Sequence, residues 1–271
     1  MGRGLGVICG AGPLPARMAR AARRQGWRIV AFAFPGADDM APHADLVVPS
    51  RLTEIGAVLA AMQGERLSAA LFAGRFSMSD VVRTETRTAD ETSRRIDERS
   101  GSRADRKLLD TVVAVLAGIG VEVLDQRAFL GELGSDPGCL TSRAPTEAEW
   151  TDVRVGLAAA RMIADGGIGQ TVVVRRGVVA AVEAVEGTTE AIRRGAALGG
   201  PGAVVVKAVA RDHDYRFDTP AVGVETVAAA AAGGVAVIAV EAGRVLIVDR
   251  EATTRAADAA GIALVSVDGA G

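Results

Sequence analysis

The pattern of apolar and polar positions in the N-terminal half alternates between two periods. Short apolar runs at 5–9 and 28–34 enclose the segment 16–26, whose apolar residues recur at helical spacing and whose arginines share the opposite face. A strand, a helix and a second strand in this order indicate a βαβ unit. The alternation continues with helices near 54–63 and 103–116 and strands near 69–73 and 121–124. We therefore predict a parallel sheet covered by helices.

The C-terminal half also alternates between predicted helices and strands, but its pattern of residue types differs from that of the N-terminal half. A helical pattern at 147–164 precedes the strand-like run VVVRRGVVAAVEA. The elements predicted after it are a helix near 188–194, the strand AVVVKAV, an alanine-rich helix after Gly223, and the strands VAVIAVEAG and RVLIVD. This half is therefore predicted to be a second α/β domain.

Glycines and prolines interrupt the chain between the two halves, at Gly134, Pro137, Gly138 and Pro145. These residue types are typical of loops, so 131–149 is interpreted as a linker. It divides an N-terminal domain, 1–130, from a C-terminal domain, 150–271. A second polar stretch, 77–106, is dense in charge, and its pattern fits either a solvated helix with i,i+4 ion pairs or a mobile loop.

Composition excludes several classes of function. The 271 residues are 49% hydrophobic and 24% charged, which is typical of a globular protein, and the net charge of −2 offers no field to attract nucleic acid. The two cysteines, Cys9 and Cys139, are too few for a disulfide framework, which fits a reducing cytoplasm. The N-terminus lacks the pattern of a signal peptide, and the longest apolar run, 226–240, is too short to span a bilayer. We expect a cytoplasmic protein with no integral membrane segment.

The stretch GVICGAGPLP is the first candidate for chemistry. Gly10, Ala11, Gly12 and Leu14 lie between a predicted strand and a predicted helix, where backbone N–H groups can approach a phosphate. A dinucleotide fingerprint would have a third glycine where Pro15 stands, and the second strand ends in AFAF rather than in a carboxylate. A nicotinamide oxidoreductase is therefore disfavoured. A tight turn without a ligand and a site for a nucleotide or sugar phosphate both remain open.

Other polar residues follow predicted strands. Gly74 and Arg75 form a second glycine turn after the strand near 69–73, and carboxyl ends of strands are where ligands bind in open α/β sheets. In the C-terminal half the corresponding residues are Gln170, Glu183, Glu186, Gly187, Thr188 and Lys207. The segment HDYRFDTPAVG then places His213, Asp214, Arg216 and Asp218 within six positions. Carboxylates, cations and glycine turns together favour phosphate ester chemistry, in which carboxylates hold Mg²⁺ and cations neutralise phosphate oxygens.

These stretches resemble the LpxI family of UDP-2,3-diacylglucosamine pyrophosphatases. The likeness is most specific from GQTVVVRRGVVAAVEAVEGT through VVVKAV, DYRFDTPAVG and VAVIAVEAGRVLIVDRE, and looser in GVICGAGPLP, FAGRFS and ADRKLLD. It extends over nearly the whole chain except about 77–103. The resemblance implies a Rossmann-like N-terminal domain and a family-specific C-terminal catalytic domain that hold the substrate between them.

The resemblance also implies an activity and a set of site residues. The activity is Mg²⁺-dependent hydrolysis of UDP-2,3-diacylglucosamine to UMP and 2,3-diacylglucosamine 1-phosphate, a step of lipid A synthesis. The essential aspartate of the family falls on Asp218. Together with the residue patterns above, this gives Asp218, Arg216 and Asp214 as predicted catalytic residues and Asp218, Asp214 and Glu183 as predicted metal ligands. The predicted substrate-binding residues are Gly10, Ala11, Gly12, Leu14, Gly74, Arg75, Asp105, Gln170, Glu186, Gly187, Thr188 and Lys207.

The chain departs from the family pattern at His213, Thr189 and Arg75, which could alter its grip on the sugar. The partner implied is a lipid-linked nucleotide sugar, met by transient contact with the inner face of the inner membrane. Apolar faces in the C-terminal half predict a homodimer built through that half. The alternative function is a non-catalytic nucleotide-sugar sensor, which would bind UDP without releasing UMP and without needing Mg²⁺.

Overall fold

The computed structural model describes residues 3–76, 89–100, 105–131 and 136–269, and the chain divides into two compact units. Unit 1 comprises Met1–Gly131 together with Asp214–Thr219. Unit 2 comprises Glu132–His213 and Pro220–Gly271. The short segment Asp214–Thr219 therefore belongs with unit 1, although the chain on both sides of it belongs to unit 2.

Unit 1 is built around a five-stranded sheet in the described part of the chain. Its strands are β1 (Gly4–Cys9), β2 (Arg28–Ala33), β3 (Leu46–Pro49), β4 (Ala69–Ala73) and β5 (Glu122–Val123). Its helices are α1 (Leu14–Arg24), α2 (Ile55–Gly64), α3 (Glu91–Ser100), α4 (Asp105–Gly118) and α5 (Arg127–Leu130). The strand order is β3-β2-β1-β4-β5, and every pair is parallel. The order reverses between β1 and β4, which is where ligands bind in sheets of this kind.

The amphipathic pattern explains how α1 covers this sheet. Met18, Ala19 and Ala22 are fully buried, whereas Arg23 lies on the solvent-exposed face of the helix and forms an ion pair with Asp45 at 2.8 Å. The strands β1, β2 and β4 are largely apolar and buried on both faces, as a parallel sheet between helix layers requires. The prediction of a parallel sheet covered by helices is confirmed for this half.

Unit 2 contains a six-stranded sheet and a two-stranded one among its described residues. Its strands are β6 (Gly138–Cys139), β7 (Thr171–Arg175), β8 (Val178–Val182), β9 (Val204–Lys207), β10 (Ala221–Val222), β11 (Val237–Glu241), β12 (Leu246–Ile247) and β13 (Ala263–Val267). Its helices are α6 (Glu147–Asp165), α7 (Thr188–Gly199), α8 (Val224–Ala232) and α9 (Arg250–Ala259). The large sheet runs β6-β13-β11-β9-β7-β8, and β10 pairs with β12.

The inner strands of the large sheet are buried on both faces. Alternate valines of β7 and β9 enter two separate cores, with Val172 and Val206 on the α6 side and Val173 on the other. Helices approach closely at two glycines: a Cβ on Gly156 of α6 would lie 2.3 Å from Cγ2 of Val206, and one on Gly195 of α7 would lie 2.4 Å from Cβ of Val173. These glycines therefore set the distance between the helices and the sheet.

The described part of the segment interpreted as a linker, 136–149, belongs to unit 2. β6 pairs antiparallel with β13, and α6 begins at a capping box in which the Thr146 Oγ1 accepts from the Glu149 amide at 3.3 Å. The Glu149 carboxylate accepts in turn from the Thr146 amide at 2.8 Å. Of the polar stretch 77–106, the described part forms α3 and the start of α4, and Glu91 and Arg95 make one i,i+4 pair. Residues 77–88 and 101–104 lie outside the described residues.

The end of unit 2 differs from the sequence reading. The run RVLIVD forms only the two-residue strand β12, because α9 begins at Arg250, with the Asp249 carboxylate accepting from the Ala252 amide. The strand β13 then completes the large sheet. None of the helices in the described part of the chain combines the length and hydropathy needed to cross a bilayer.

Candidate functional site

The two glycine turns of unit 1 bind each other at the carboxyl edge of its sheet. The Ala11 amide donates to the Arg75 carbonyl at 2.9 Å, and the Arg75 amide donates to the Ala11 carbonyl at 2.8 Å. A Cβ on Gly74 would lie 2.8 Å from the carbonyl oxygens of Gly10 and Ala11, and one on Gly10 would lie 2.6 Å from the Arg75 carbonyl oxygen. Gly10 and Gly74 are therefore needed for this close approach, independently of any ligand.

Gly12 and the start of α1 face a more open environment. Gly12 has φ +92°, and no atom lies within 4 Å of a Cβ built on it. Pro13 precedes the first helical residue, Leu14, and no side chain caps the helix. Because Pro15 has no N–H, the first turn presents fewer donors than a dinucleotide fingerprint does. Nearby, at the ends of β2 and β3, a cavity of about 400 Å³ is lined by Ala33, Phe34, Pro35, Pro49, Ser50, Arg51 and Glu54.

The segment Asp214–Thr219 packs against β4 and against the turn that follows β5. The Gln126 amide donates to the Tyr215 carbonyl at 3.0 Å, and the Arg127 guanidinium lies over the Tyr215 ring, 4.4 Å from its centroid. The Phe217 ring lies against the Phe72 ring of β4, with centroids 5.1 Å apart. Tyr215 and Phe217 are buried, whereas Asp218 is exposed. Buried and exposed residues thus alternate along the segment, so that the two rings are anchored and the Asp218 carboxylate lies at the surface.

Asp214 and Arg216 form a bidentate ion pair within the segment. The Arg216 Nη2 donates to Asp214 Oδ2 at 2.6 Å, and Nε donates to both carboxylate oxygens, at 3.0 and 3.1 Å. The Arg216 amide also donates to Asp214 Oδ1 at 3.0 Å. The hydrogen bonds to Asp214 raise the pKa of Arg216 above its ordinary value. Both oxygens of Asp214 are thus engaged by one cation.

A second cluster lies at the carboxyl edge of the unit 2 sheet, around the buried Lys207. Its Nζ donates to Thr188 Oγ1 at 3.0 Å and to Thr171 Oγ1 at 3.3 Å, and it lies 3.8 Å from Glu183 Oε2. Thr188 Oγ1 donates to Glu183 Oε1 at 2.8 Å. Lys207 is only 4% exposed, so its charge is balanced mainly by Glu183.

The ionisation of Glu183 follows from this packing. Burial favours its neutral form, but the Lys207 charge and the hydrogen bonds from Thr171, Thr188 and the Gln170 amide outweigh burial and lower the pKa of Glu183. Glu186 is arranged differently: its carboxylate pairs with Arg194 and accepts from the Ala184 amide at 3.2 Å. Gly187, with φ +83°, makes the turn that starts α7 at Thr188.

The structure thus gathers the sequence-predicted residues into three groups. Gly10, Ala11, Gly12, Leu14, Gly74 and Arg75 lie at the unit 1 sheet edge, Asp214, Arg216 and Asp218 on the segment docked to unit 1, and Gln170, Glu183, Glu186, Gly187, Thr188 and Lys207 at the unit 2 sheet edge. The side chain of Asp105 lies outside the described residues. Glu183 and the two aspartates belong to different units, and among described residues no three His, Cys, Asp or Glu side chains gather as a metal cluster.

Sequence reasoning missed residues that hold this site. Asp125 and Arg127 form a turn with the same contacts as Asp214 and Arg216, with Nη2 to Oδ2 again at 2.6 Å. The signal was present as the repeated pattern Asp-x-Arg, DQR at 125–127 and DYR at 214–216. Thr171 was also missed, because its contact with Lys207 depends on the pairing of β7 with β9.

Two family models divide the chain close to the end of the first part of unit 1, at Gly131. The family model for the LpxI N-terminal domain matches residues 4–133, and that for the LpxI C-terminal domain matches residues 136–265. The chain therefore belongs to the LpxI family. A relative from Caulobacter vibrioides, named UDP-2,3-diacylglucosamine pyrophosphatase LpxI, is 34% identical over 283 residues, which cover 98% of each chain.

A match among solved structures is much weaker. A structure titled glycinamide-RNase-transformylase T from Mycobacterium tuberculosis is 14% identical, with a TM-score of 0.25, and the match covers 65% of this chain and 43% of that one. At that level the likeness carries no argument about fold or function.

Proposed function

We propose that the protein hydrolyses the pyrophosphate of UDP-2,3-diacylglucosamine in lipid A biosynthesis. The observation that carries this proposal is the 34% identity to the Caulobacter relative across 98% of both chains. In the reaction the oxygen of one water forms a bond to one phosphorus, and the bridging P–O bond breaks. The products are UMP and 2,3-diacylglucosamine 1-phosphate, and the protons of the water pass to solvent and to the leaving phosphate.

Asp218 is the residue that we assign to the water. Its exposed carboxylate stands next to the anchored Phe217, so the backbone fixes its position while the side chain remains accessible. A carboxylate there can orient the water or accept its proton. Arg216 braces Asp214 and adds positive charge near the reacting phosphates.

The residues at the sheet edges are proposed to bind the substrate. Amides at Gly12 and Leu14 suit phosphate oxygens, because Gly12 leaves its surroundings open. Lys207 and Thr188 supply a cation and a hydroxyl at the start of α7. Gln170, Glu186, Gly187 and the first-unit residues Gly10, Ala11, Gly74, Arg75 and Asp105 complete the proposed binding set.

Mg²⁺ is proposed as the cofactor, with Asp218 as its protein ligand. Mg²⁺ is usually bound by one or two carboxylates together with substrate phosphates and water, and it neutralises the charge of those phosphates. The exposed carboxylate of Asp218 suits this role. Asp214 and Glu183 are the other proposed ligands: the Asp214 oxygens accept from Arg216, and the Glu183 carboxylate accepts from Thr188 and lies 3.8 Å from the Lys207 Nζ.

We also propose a cytoplasmic homodimer that meets its lipid substrate at the inner face of the inner membrane. The strands and the alanine-rich helix first expected to form the dimer are buried in the unit 2 core, including Val227, Ala230 and the whole of β11 and β13. Other large apolar side chains of unit 2 are exposed, namely Met162, Ile168, Val178, Val185 and Leu198. These residues are the better candidates for contact with a second copy or with acyl chains.

The test is UMP release from UDP-2,3-diacylglucosamine, measured by chromatography with Mg²⁺ and with a chelator. We expect release that requires Mg²⁺ and that is lost in Asp218→Asn. Asp136→Asn, which changes an exposed carboxylate of unit 2, is the matched control and should keep the full rate. Saturable binding of UDP without release would instead favour the nucleotide-sugar sensor.

A further inference from the structure

The segment that carries Asp218 is encoded between two strands of unit 2 but is held by side chains of unit 1. We propose that Arg127 and Phe72 are positioning residues that fix Asp218 for the reaction. This inference rests on the proposed function. It concerns residues that contact the segment rather than the substrate.

Arg127 holds the segment through the ring of Tyr215. Its guanidinium lies 4.4 Å from the ring centroid, and the adjacent Gln126 amide donates to the Tyr215 carbonyl at 3.0 Å. A cation over an aromatic face is worth about 0.5–1 kcal/mol at exposed sites and more when desolvated. The two contacts fix both the side chain and the backbone of Tyr215, three residues before Asp218.

Phe72 holds the segment from the strand side. Its ring lies 5.1 Å from that of Phe217, at an interplanar angle of 55°. Phe72 is part of β4, which pairs with a strand on each side, β1 and β5. Because Phe217 is the immediate neighbour of Asp218, a shift of the Phe217 ring moves the carboxylate directly.

The segment and the turn against which Tyr215 packs each contain an Asp-x-Arg ion pair. In each turn the arginine amide, Nε and Nη2 donate to the aspartate two residues earlier. The hydrogen bonds and the charge of Arg127 lower the pKa of Asp125, outweighing its partial burial and the charge of Asp214, which both act to raise that pKa. Arg127 therefore favours the charged form of Asp125 beside the charge of Asp214, and it also covers the Tyr215 ring.

The matched variants are Arg127→Ala, Arg127→Lys and Phe72→Leu, with Arg23→Ala as the control. Arg127 is about half exposed, so its loss leaves the core intact, and Phe72→Leu keeps an apolar side chain on β4. Arg23 forms a 2.8 Å ion pair with Asp45 on the surface of α1, away from the segment in sequence and in contacts. Lysine at 127 keeps the cation over the ring but loses the planar two-pronged contact with Asp125.

The first measurement is hydrogen exchange of a peptide covering 214–219, which does not depend on activity. We expect exchange about tenfold faster in Arg127→Ala and Phe72→Leu, an intermediate rate in Arg127→Lys, and no change in Arg23→Ala. Unchanged exchange in Arg127→Ala would overturn the inference. If the unsubstituted chain releases no UMP, the proposed function fails, and this comparison alone decides whether the two residues hold the segment.

The second measurement separates kcat from KM. A misplaced Asp218 lowers kcat, because a displacement of about 1 Å can cost about 100-fold. We expect kcat to fall about 10- to 100-fold in Arg127→Ala, with KM within about threefold and partial rescue in Arg127→Lys. A kcat equal to that of the unsubstituted chain, a loss confined to KM, or an equal loss in Arg23→Ala would each contradict positioning by Arg127.

Discussion

Neighbouring residues in the segment that carries Asp218 have different roles. Tyr215 and Phe217 are buried and hold the segment, whereas Asp218 remains exposed one residue further on. The order of residue types in DYRFDT follows from this arrangement, because alternate side chains point into unit 1 and away from it. The sequence could predict that Asp218 is important, but not which domain would hold it.

The first prediction concerns the charge of Asp218. Asp218→Asn keeps the size of the side chain but cannot accept a proton or bind Mg²⁺ as strongly. We expect kcat to fall about 10²- to 10⁴-fold, which is the usual contribution of a general base. Thermal unfolding should be unchanged because the side chain is exposed. A kcat within threefold of the unsubstituted protein would remove Asp218 from the mechanism.

The second prediction concerns pH and Glu183. Its pKa is lowered from an ordinary value of 4.5, so the ionised pair with Lys207 adds stability above that pH, and this stability is lost as the pH falls through the folded pKa. We expect Glu183→Gln to lower the free energy of unfolding at pH 7 and to converge on the unsubstituted protein in acid. Glu251→Gln, which breaks an exposed pair with Arg255, is the control and should change little at any pH. A loss in Glu183→Gln that is constant from pH 7 to acid would contradict the ion-pair account.

At the scale of elements, alternation of apolar runs was sufficient to predict most of the fold. The runs at β1, β2 and β4 are separated by amphipathic helices, and only a parallel sheet buries them all. The short strands β3, β6 and β10 were not predicted, since two to four residues carry no period. Their positions depend on pairing with distant strands, as with Cys139 and Val265.

The third prediction tests the approach of α6 to the sheet. Gly156→Ala places a methyl group 2.3 Å from Cγ2 of Val206, so either the helix or the strand must move. We expect the free energy of unfolding to fall by about 1–3 kcal/mol in chemical denaturation. Gly118→Ala, at the end of α4 with no atom within 4 Å of the new Cβ, is the control and should be neutral or slightly stabilising. Equal effects of the two substitutions would show that the contact is not tight.

At the scale of the whole molecule, the sequence did not predict which residues belong to each unit. The chain order suggests that residues 150–271 form one catalytic domain, whereas Asp214–Thr219 associates with unit 1. No change in composition along the chain marks the assignment of this segment to unit 1. The contacts responsible are the rings of Tyr215 and Phe217, which from sequence alone could equally pack within unit 2.

The fourth prediction concerns assembly. Exposed Val178, at 66%, and Leu198, at 69%, leave an apolar surface on unit 2 that a second copy would cover. We expect a dimer in sedimentation at micromolar concentration, and a shift to monomer in Leu198→Glu. Leu46→Glu, at an exposed leucine of unit 1, should leave the dimer intact. A monomer before any substitution would refute the dimer, and a dimer unaffected by Leu198→Glu would place its interface elsewhere.

Phosphorus NMR of UDP-2,3-diacylglucosamine incubated with the protein and Mg²⁺ tests the central claim most directly. Hydrolysis replaces the two coupled pyrophosphate signals with two monophosphate signals, one from UMP and one from the lipid-linked sugar phosphate. The account predicts this conversion with the unsubstituted protein and none above background with Asp218→Asn. Intact pyrophosphate signals in the presence of folded, unsubstituted protein and Mg²⁺ would contradict it.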